Sequence, residues 1–268
     1  MQEYFFEKDR IYYRTNEFKP DRLTLVLAHG ASGSSSAWLP YEKIFENKYN
    51  ILSYDIRGHG KSKKYPHYED YEIKNFALDL HDLITHLKIS KFILISNSFA
   101  GLVALEYIKL YRQSIIANVF TSPGVYLNQG LLAKIAPKIL KLGKIFLFHP
   151  QPRGHVDYRK HQNSTDWNIK RNLADMRNTT LRVHFHVIRQ SFTPLQYELE
   201  KINVPTLIIH GEKDSMVPLK NAIQMHNKIK NSEFVSIKNV DHNTVHNGVK
   251  EMSEAIESFI EKNKNVLE

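Results

Sequence analysis

Short β-rich runs alternate with longer amphipathic ones along most of this chain, and that alternation leaves few architectures open. Gln2 to Glu7 and Arg10 to Thr15 read as an N-terminal hairpin. Further strands are expected at Leu23 to Ala28, Ile51 to Tyr54, Phe92 to Ser96, Ala117 to Thr121, Pro205 to His210 and Glu233 to Ile237. Between them, Ala37 to Asn47, Tyr71 to Leu87, Phe99 to Tyr111, Leu219 to Ile229 and Val245 to Asn263 carry helical spacing. The pattern predicts an α/β fold: a mostly parallel central sheet with helices on both faces, binding its ligands at the carboxyl ends of the strands. Tyr126 to Ile202 interrupts the alternation with helix-like stretches and no convincing strand pair. Residues 126–202 are therefore expected to form an inserted helical cap, and 1–125 with 203–268 the core domain.

Composition removes several alternatives. A chain of 268 residues with 42% hydrophobic residues can bury one sizeable core. It has no cysteine, which rules out disulfides, thiolate nucleophiles and Cys-ligated metals. Met1 to Arg10 contains acidic residues where a signal peptide has a basic start and a long apolar run, and no apolar stretch reaches membrane-spanning length. A soluble, cytoplasmic protein is expected. The net charge of +9 is spread over 37 basic and 28 acidic residues with no recognisable nucleic-acid module, so no nucleic-acid partner is expected.

The chemistry concentrates at the expected strand ends. Phe92 to Ser96 runs into Asn97-Ser98-Phe99-Ala100 and resumes with helical periodicity, which puts Ser98 at the apex of a sharp strand-to-helix turn. Such a turn lifts a serine Oγ clear of the sheet, and the free N–H groups that open the next helix, led by that of Phe99, lie where an oxyanion would form. Read alone, Ser96 and Ser98 are equally well explained as a strand end and a helix cap. His29-Gly30-Ala31-Ser32-Gly33 is a Gly- and Ser-rich turn whose Ala31 N–H is the candidate second oxyanion donor. In Asp55-Ile56-Arg57-Gly58-His59-Gly60, Asp55 and Arg57 are expected to brace the loop through buried charge-assisted bonds, and His59 is read as structural. Asp214, ahead of the alternative Glu212, follows the strand ending at His210. His242 follows the last strand and is preferred to His246 as the base toward Ser98, with Asp214 rather than the adjacent Asp241 orienting it.

The chain order Ser98, Asp214, His242 resembles that of the α/β-hydrolase superfamily, as do the HG-x-x-G loop at His29 to Gly33, the D-x-R-G-H-G-x-S loop at Asp55 to Ser62, the elbow at Ser98 and the late G-x-x-D. The elbow departs from G-x-S-x-G at Ser96 and Ala100, and Asp241 stands where many relatives carry glycine. The resemblance implies a serine hydrolase of the carboxylesterase or lipase type, cleaving a small-molecule ester or related acyl substrate through an acyl-enzyme on Ser98. Carbon–carbon bond hydrolases, thioesterases and cofactor-free lyases share the same triad, and a non-catalytic ligand-binding relative is the remaining alternative. No cofactor is implied. His184 and His186 would present two imidazoles on one strand face but lack a third ligand, so no metal site is expected. Lys134, Lys138, Lys141 and Lys144 recur opposite an apolar stripe, which reads either as a cap helix burying one face or as a lid touching a lipid or membrane surface.

Overall fold

The computed structural model describes residues 1–7, 10–125, 131–161, 164–192 and 197–267. Within them eight strands form one sheet: β1 (Gln2–Phe6), β2 (Ile11–Thr15), β3 (Thr24–Ala28), β4 (Asn50–Tyr54), β5 (Phe92–Asn97), β6 (Ile115–Thr121), β7 (Thr206–Gly211) and β8 (Ser232–Ile237). Their spatial order is β1-β2-β4-β3-β5-β6-β7-β8. The β1–β2 and β2–β4 pairs are antiparallel and every later pair is parallel. The mostly parallel α/β sheet expected from the alternation is the one observed.

Alternation of side chains along the strands divides the core into two layers. Val26 and Ala28 of β3 face α2 (Ile73–His86) and α3 (Ala100–Tyr111), where Phe76, Leu80, Leu102 and Leu105 are buried. Leu25 and Leu27 point the other way, toward Tyr41 and Phe45 of α1 (Leu39–Phe45) and Met252, Ile256 and Phe259 of a helix at Val249–Lys262. The expected final helix is in fact two, Thr244–Asn247 and Val249–Lys262, parted at Gly248. A Cβ there would meet Ile237 Cδ1 at 3.1 Å, so glycine lets the chain turn close to β8, at the cost of helix continuity.

The segment between β6 and β7 carries α4 (Leu131–Leu140), α5 (Ile169–Thr179) and α6 (Leu181–Gln190). Val183 and Val187 of α6 are buried in the same layer as Phe76 and Leu80, which ties this segment to the sheet. Along α4 and the turn after it, Ile135, Ile139, Leu142 and Ile145 are exposed, so that apolar stripe is not turned inward. The side chain of Lys134, one of the four expected on the opposite face, lies outside the described residues. Among the described residues no helix is long and apolar enough to cross a membrane.

Candidate active site

The turn between β5 and α3 holds Ser98 at φ +49°, a left-handed conformation that non-glycine residues adopt at a cost. Three backbone hydrogen bonds fix it: the Ser98 N–H donates to Thr121 O at 2.9 Å, and Ser98 O accepts from Gly101 N (2.9 Å) and Gly124 N (3.0 Å). Ser96 and Ala100, the two departures from the glycine pattern, are fully buried between strand and helix. Their small side chains leave room for that close passage.

Ser98 Oγ lies 2.8 Å from His242 Nε2, and His242 Nδ1 lies 2.7 Å from Asp214 Oδ2. An ionised carboxylate only accepts, so Nδ1 carries the proton and Nε2 is free to accept from Ser98. The Asp214 side chain is fully buried. Burial alone would raise its carboxyl, but the bond from His242 and the N–H of Val217 (2.8 Å to Oδ1) outweigh it and hold Asp214 below the usual carboxylate range. A fourth group, His210, approaches Asp214 Oδ2 at 3.2 Å; burial lowers its pKa, so it stays neutral and donates from Nε2 to Val217 O. Gly211 lets the two loops meet, because a Cβ there would fall 2.4 Å from both the Val240 and Asp241 carbonyl oxygens.

The loop after β3 is held against this chain by two neutral histidines. His29 Nε2 accepts from Ile56 N (3.1 Å) and its Nδ1–H donates to Gly30 O (2.8 Å), while burial pushes its pKa down to about 4. His59 Nε2 accepts the Ser32 N–H at 3.0 Å and its Nδ1–H donates to Arg57 O. Burial holds His59 well below the ordinary histidine range. With Ser32 N–H turned to His59, the Ala31 and Phe99 N–H groups have no acceptor among the described residues. Gly30 passes so close that a Cβ would stand 3.2 Å from Ser98 Cβ. Deeper in the same loops, Arg57 pairs bidentately with Asp79 (2.6 and 2.7 Å), and Asp55 accepts from Ser35 N, Lys61 N and His155 Nε2.

The sequence reading missed a brace from the β6–β7 segment. Asp166, 2% exposed, accepts the His242 N–H at 2.8 Å and the Asn243 side-chain amide at 3.2 Å on Oδ1. Its Oδ2 accepts the Ser215 N–H (3.0 Å) and hydroxyl (2.8 Å). One carboxylate thus ties the loop of His242 to the loop of Asp214. No motif or periodicity marks it, because its partners, two backbone N–H groups and two side chains, are distant in sequence.

The other candidates fall elsewhere. His246 does not reach Ser98; it stacks on Tyr158 with ring centroids 4.2 Å apart, and burial lowers its pKa to about 3. Asp241 accepts from Asn243 N and Asn247 Nδ2 within its own loop, and Glu212 accepts from Ser236. His184 and His186 sit on α6, not on a strand: His184 Nδ1 bonds Ser32 Oγ, while His186 is buried beside the rings of Tyr68 and Tyr71. Residues two apart on a helix do not share a face, so the two imidazoles diverge. Among the described residues no group of three metal-ligating side chains converges.

Ser98 and His242 open onto a cavity of about 290 Å³. Its core side is lined by His29 to Gly33, Asn97, Met216 and Asn243. The β6–β7 segment contributes Tyr158, Arg171, Asn172, Asp175, Met176, His184 and Ile188.

The profile of the alpha/beta hydrolase fold family matches residues 24–249. In sequence the chain is similar to a putative carbamate hydrolase, RutD, of Pseudomonas syringae pv. syringae (strain B728a), with 25% identity over 239 residues that span 83% of this chain and 87% of the relative. It is also similar to Epoxide hydrolase 1 of Caenorhabditis elegans, at 21% over 279 residues, or 96% of this chain and 69% of the relative. Among solved structures, a thermophilic esterase from Thermogutta terrifontis superposes with a TM-score of 0.74 at 19% identity, covering 96% and 95% of the two chains.

Proposed function

The chain belongs to the alpha/beta hydrolase fold family, and from that membership we propose that it is a serine hydrolase cleaving compact carboxylic esters through an acyl-enzyme on Ser98. The observation that carries the reading is the continuous hydrogen-bonded chain from Ser98 Oγ through His242 to Asp214. His242 Nε2 takes the Ser98 proton as Oγ attacks the acyl carbonyl, and the same nitrogen then protonates the leaving alkoxide. Asp214 keeps the imidazole in the right tautomer and stabilises the imidazolium. The N–H groups of Ala31 and Phe99 receive the oxyanion, each lowering the barrier by about 3 to 4 kcal/mol. Water, deprotonated by His242, attacks the acyl-enzyme and regenerates Ser98. Residues 126–202 act as the cap: among the described ones Tyr158, Arg171, Met176, His184 and Ile188 line the cavity, whose volume suits a compact substrate better than a long acyl chain.

The test is labelling by a fluorophosphonate probe together with turnover of short-chain p-nitrophenyl esters. Both are expected in the wild type and lost in Ser98→Ala, with turnover falling by about 10⁴-fold or more while the thermal melt is retained. Wild-type turnover in that variant would refute the assignment. Acyl thioesters and monoglycerides in the same panel separate the ester reading from its relatives.

A further inference from the structure

The acyl-transfer steps leave one charged pair in the cavity unused. Arg171 and Asp175 are the only Arg, Lys, Asp or Glu among the described residues lining it, and Arg171 is 6% exposed. Its Nη2 donates to Asn172 Oδ1 at 3.2 Å. Nε and Nη1 have no hydrogen-bond acceptor among the described residues, and the nearest carboxylate, Asp175 Oδ2, stands 3.7 Å from Nε. That carboxylate is partly committed elsewhere, since Asp175 Oδ1 accepts the Tyr158 hydroxyl at 2.9 Å. Burial raises the Asp175 carboxyl to about 6, so it is ionised at neutral pH, but it faces Arg171 at 3.7 Å without a hydrogen bond and leaves the guanidinium donors unfilled. The histidines alongside, His184 and His246, are held neutral by burial and bring neither a competing positive charge nor a negative one.

A guanidinium stays charged at every accessible pH, and burying it with unused N–H groups is unfavourable unless something arrives to accept them. Water can reach those N–H groups, but an anion answers the need better, because it brings the opposite charge together with the acceptor. We propose that Arg171 anchors a carboxylate on the substrate, so that the preferred substrates are compact esters carrying a free carboxylate: monoesters of short dicarboxylic acids or acyl esters of short hydroxy acids. The inference rests on the serine-hydrolase reading and names its substrate class. Anchoring the far end of a short substrate also fixes where its ester carbonyl lies relative to Ser98, so the effect reaches kcat as well as KM. Arg171 is thus a specificity-determining residue on α5, in the segment between β6 and β7.

The probes are monoethyl succinate and acetoxyacetate, each against its neutral amide counterpart, ethyl succinamate and acetoxyacetamide, followed by pH-stat at pH 7.5. For at least one pair, kcat/KM is expected to favour the anion by tenfold or more in the wild type. Arg171→Gln is expected to bring that ratio close to one. The double variant Arg171→Gln with Asp175→Asn removes both charges and, checked by its thermal melt, guards against a fold disturbed by a lone buried carboxylate. Ser98-dependent turnover of the neutral esters with no anionic preference in either pair overturns the Arg171 inference and leaves the hydrolase reading standing. If no probe is turned over and no fluorophosphonate label appears, the hydrolase reading fails. Calorimetry with succinate against succinamide then decides on Arg171 independently: succinate binding lost in Arg171→Gln supports the carboxylate site, and no binding of succinate overturns it.

Discussion

Asp166→Ala tests whether Asp166 positions the loops of His242 and Asp214 for the proposed chemistry or merely stabilises the fold. The aspartate accepts four hydrogen bonds, two of them from the backbone N–H groups of His242 and Ser215. Alanine leaves the His242 N–H unpaired in a part-buried setting at about 1 to 3 kcal/mol, whereas the N–H of the exposed Ser215 and the two side-chain partners can turn to water, so the combined cost is about 2 kcal/mol. A domain stable by about 5 to 15 kcal/mol survives that loss at 25 °C. Catalysis should suffer separately, because the loops of His242 and Asp214 lose their shared tie. A displacement of order 1 Å in the His242 to Ser98 contact lowers kcat by about 100-fold. Asp166 does not line the cavity, so KM for a neutral ester is expected to move little. Asp166→Asn keeps one acceptor oxygen for His242 and orphans only the Ser215 N–H, and should fall between the two in both stability and kcat. Urea denaturation and steady-state kinetics on the same preparations provide the comparison. An alanine variant that loses stability yet keeps wild-type kcat refutes the positioning role.

Gly30→Ala is expected to lower kcat by tenfold or more with stability changed by no more than about 1 kcal/mol, because the new Cβ meets Ser98 Cβ at 3.2 Å and Asn97 Nδ2 at 3.0 Å and pushes the Ala31 N–H out of line; an unchanged kcat would show that this N–H is not an oxyanion donor. Stability should fall as pH drops below about 6.5. His29 and His246 stay neutral in the fold down to about 4 and about 3, whereas their unfolded counterparts protonate near 6.5, so the unfolded state binds more protons in that window. Each contributes up to about 1.4 kcal/mol per pH unit, and His29 alone about 3 kcal/mol by pH 4. Asp55 and Asp214, both held below the usual carboxylate range, add their own loss once pH falls below about 4. Urea midpoints from pH 7.5 to 4.5 measure the slope, which should be shallower in His246→Gln; an identical slope would sink this account of the buried histidines.

How far the site was legible in sequence follows from which interactions a linear pattern can encode. Ser98, Asp214 and His242 each terminate or follow a strand, and strands announce themselves by their apolar runs, so the three could be placed at one sheet edge before any contact was known. The elbow tolerated Ser96 and Ala100 because the requirement there is small volume between β5 and α3, a property that a glycine-only pattern overstates. The position of His59 between two glycines points to a brace, and the side chain does brace the loop by accepting the Ser32 N–H. Asp166, Arg171 and Asp175 were not legible. Asp166 acts on backbone groups 49 and 76 positions away, and its Asp-Trp-Asn setting resembles any polar turn before a helix. On α5, Arg171 and Asp175 look in sequence like an ordinary exposed i, i+4 ion pair, worth a few tenths of a kcal/mol. Their meaning changes only when α5 folds over the strand ends and takes them out of water, where a loose 3.7 Å pairing leaves the guanidinium with donors to spare. The residues of the proposed acyl transfer therefore lie at strand ends, whereas the proposed choice of molecule turns on where the segment between β6 and β7 settles, and that placement involves long-range packing through Val183 and Val187 that local periodicity does not carry.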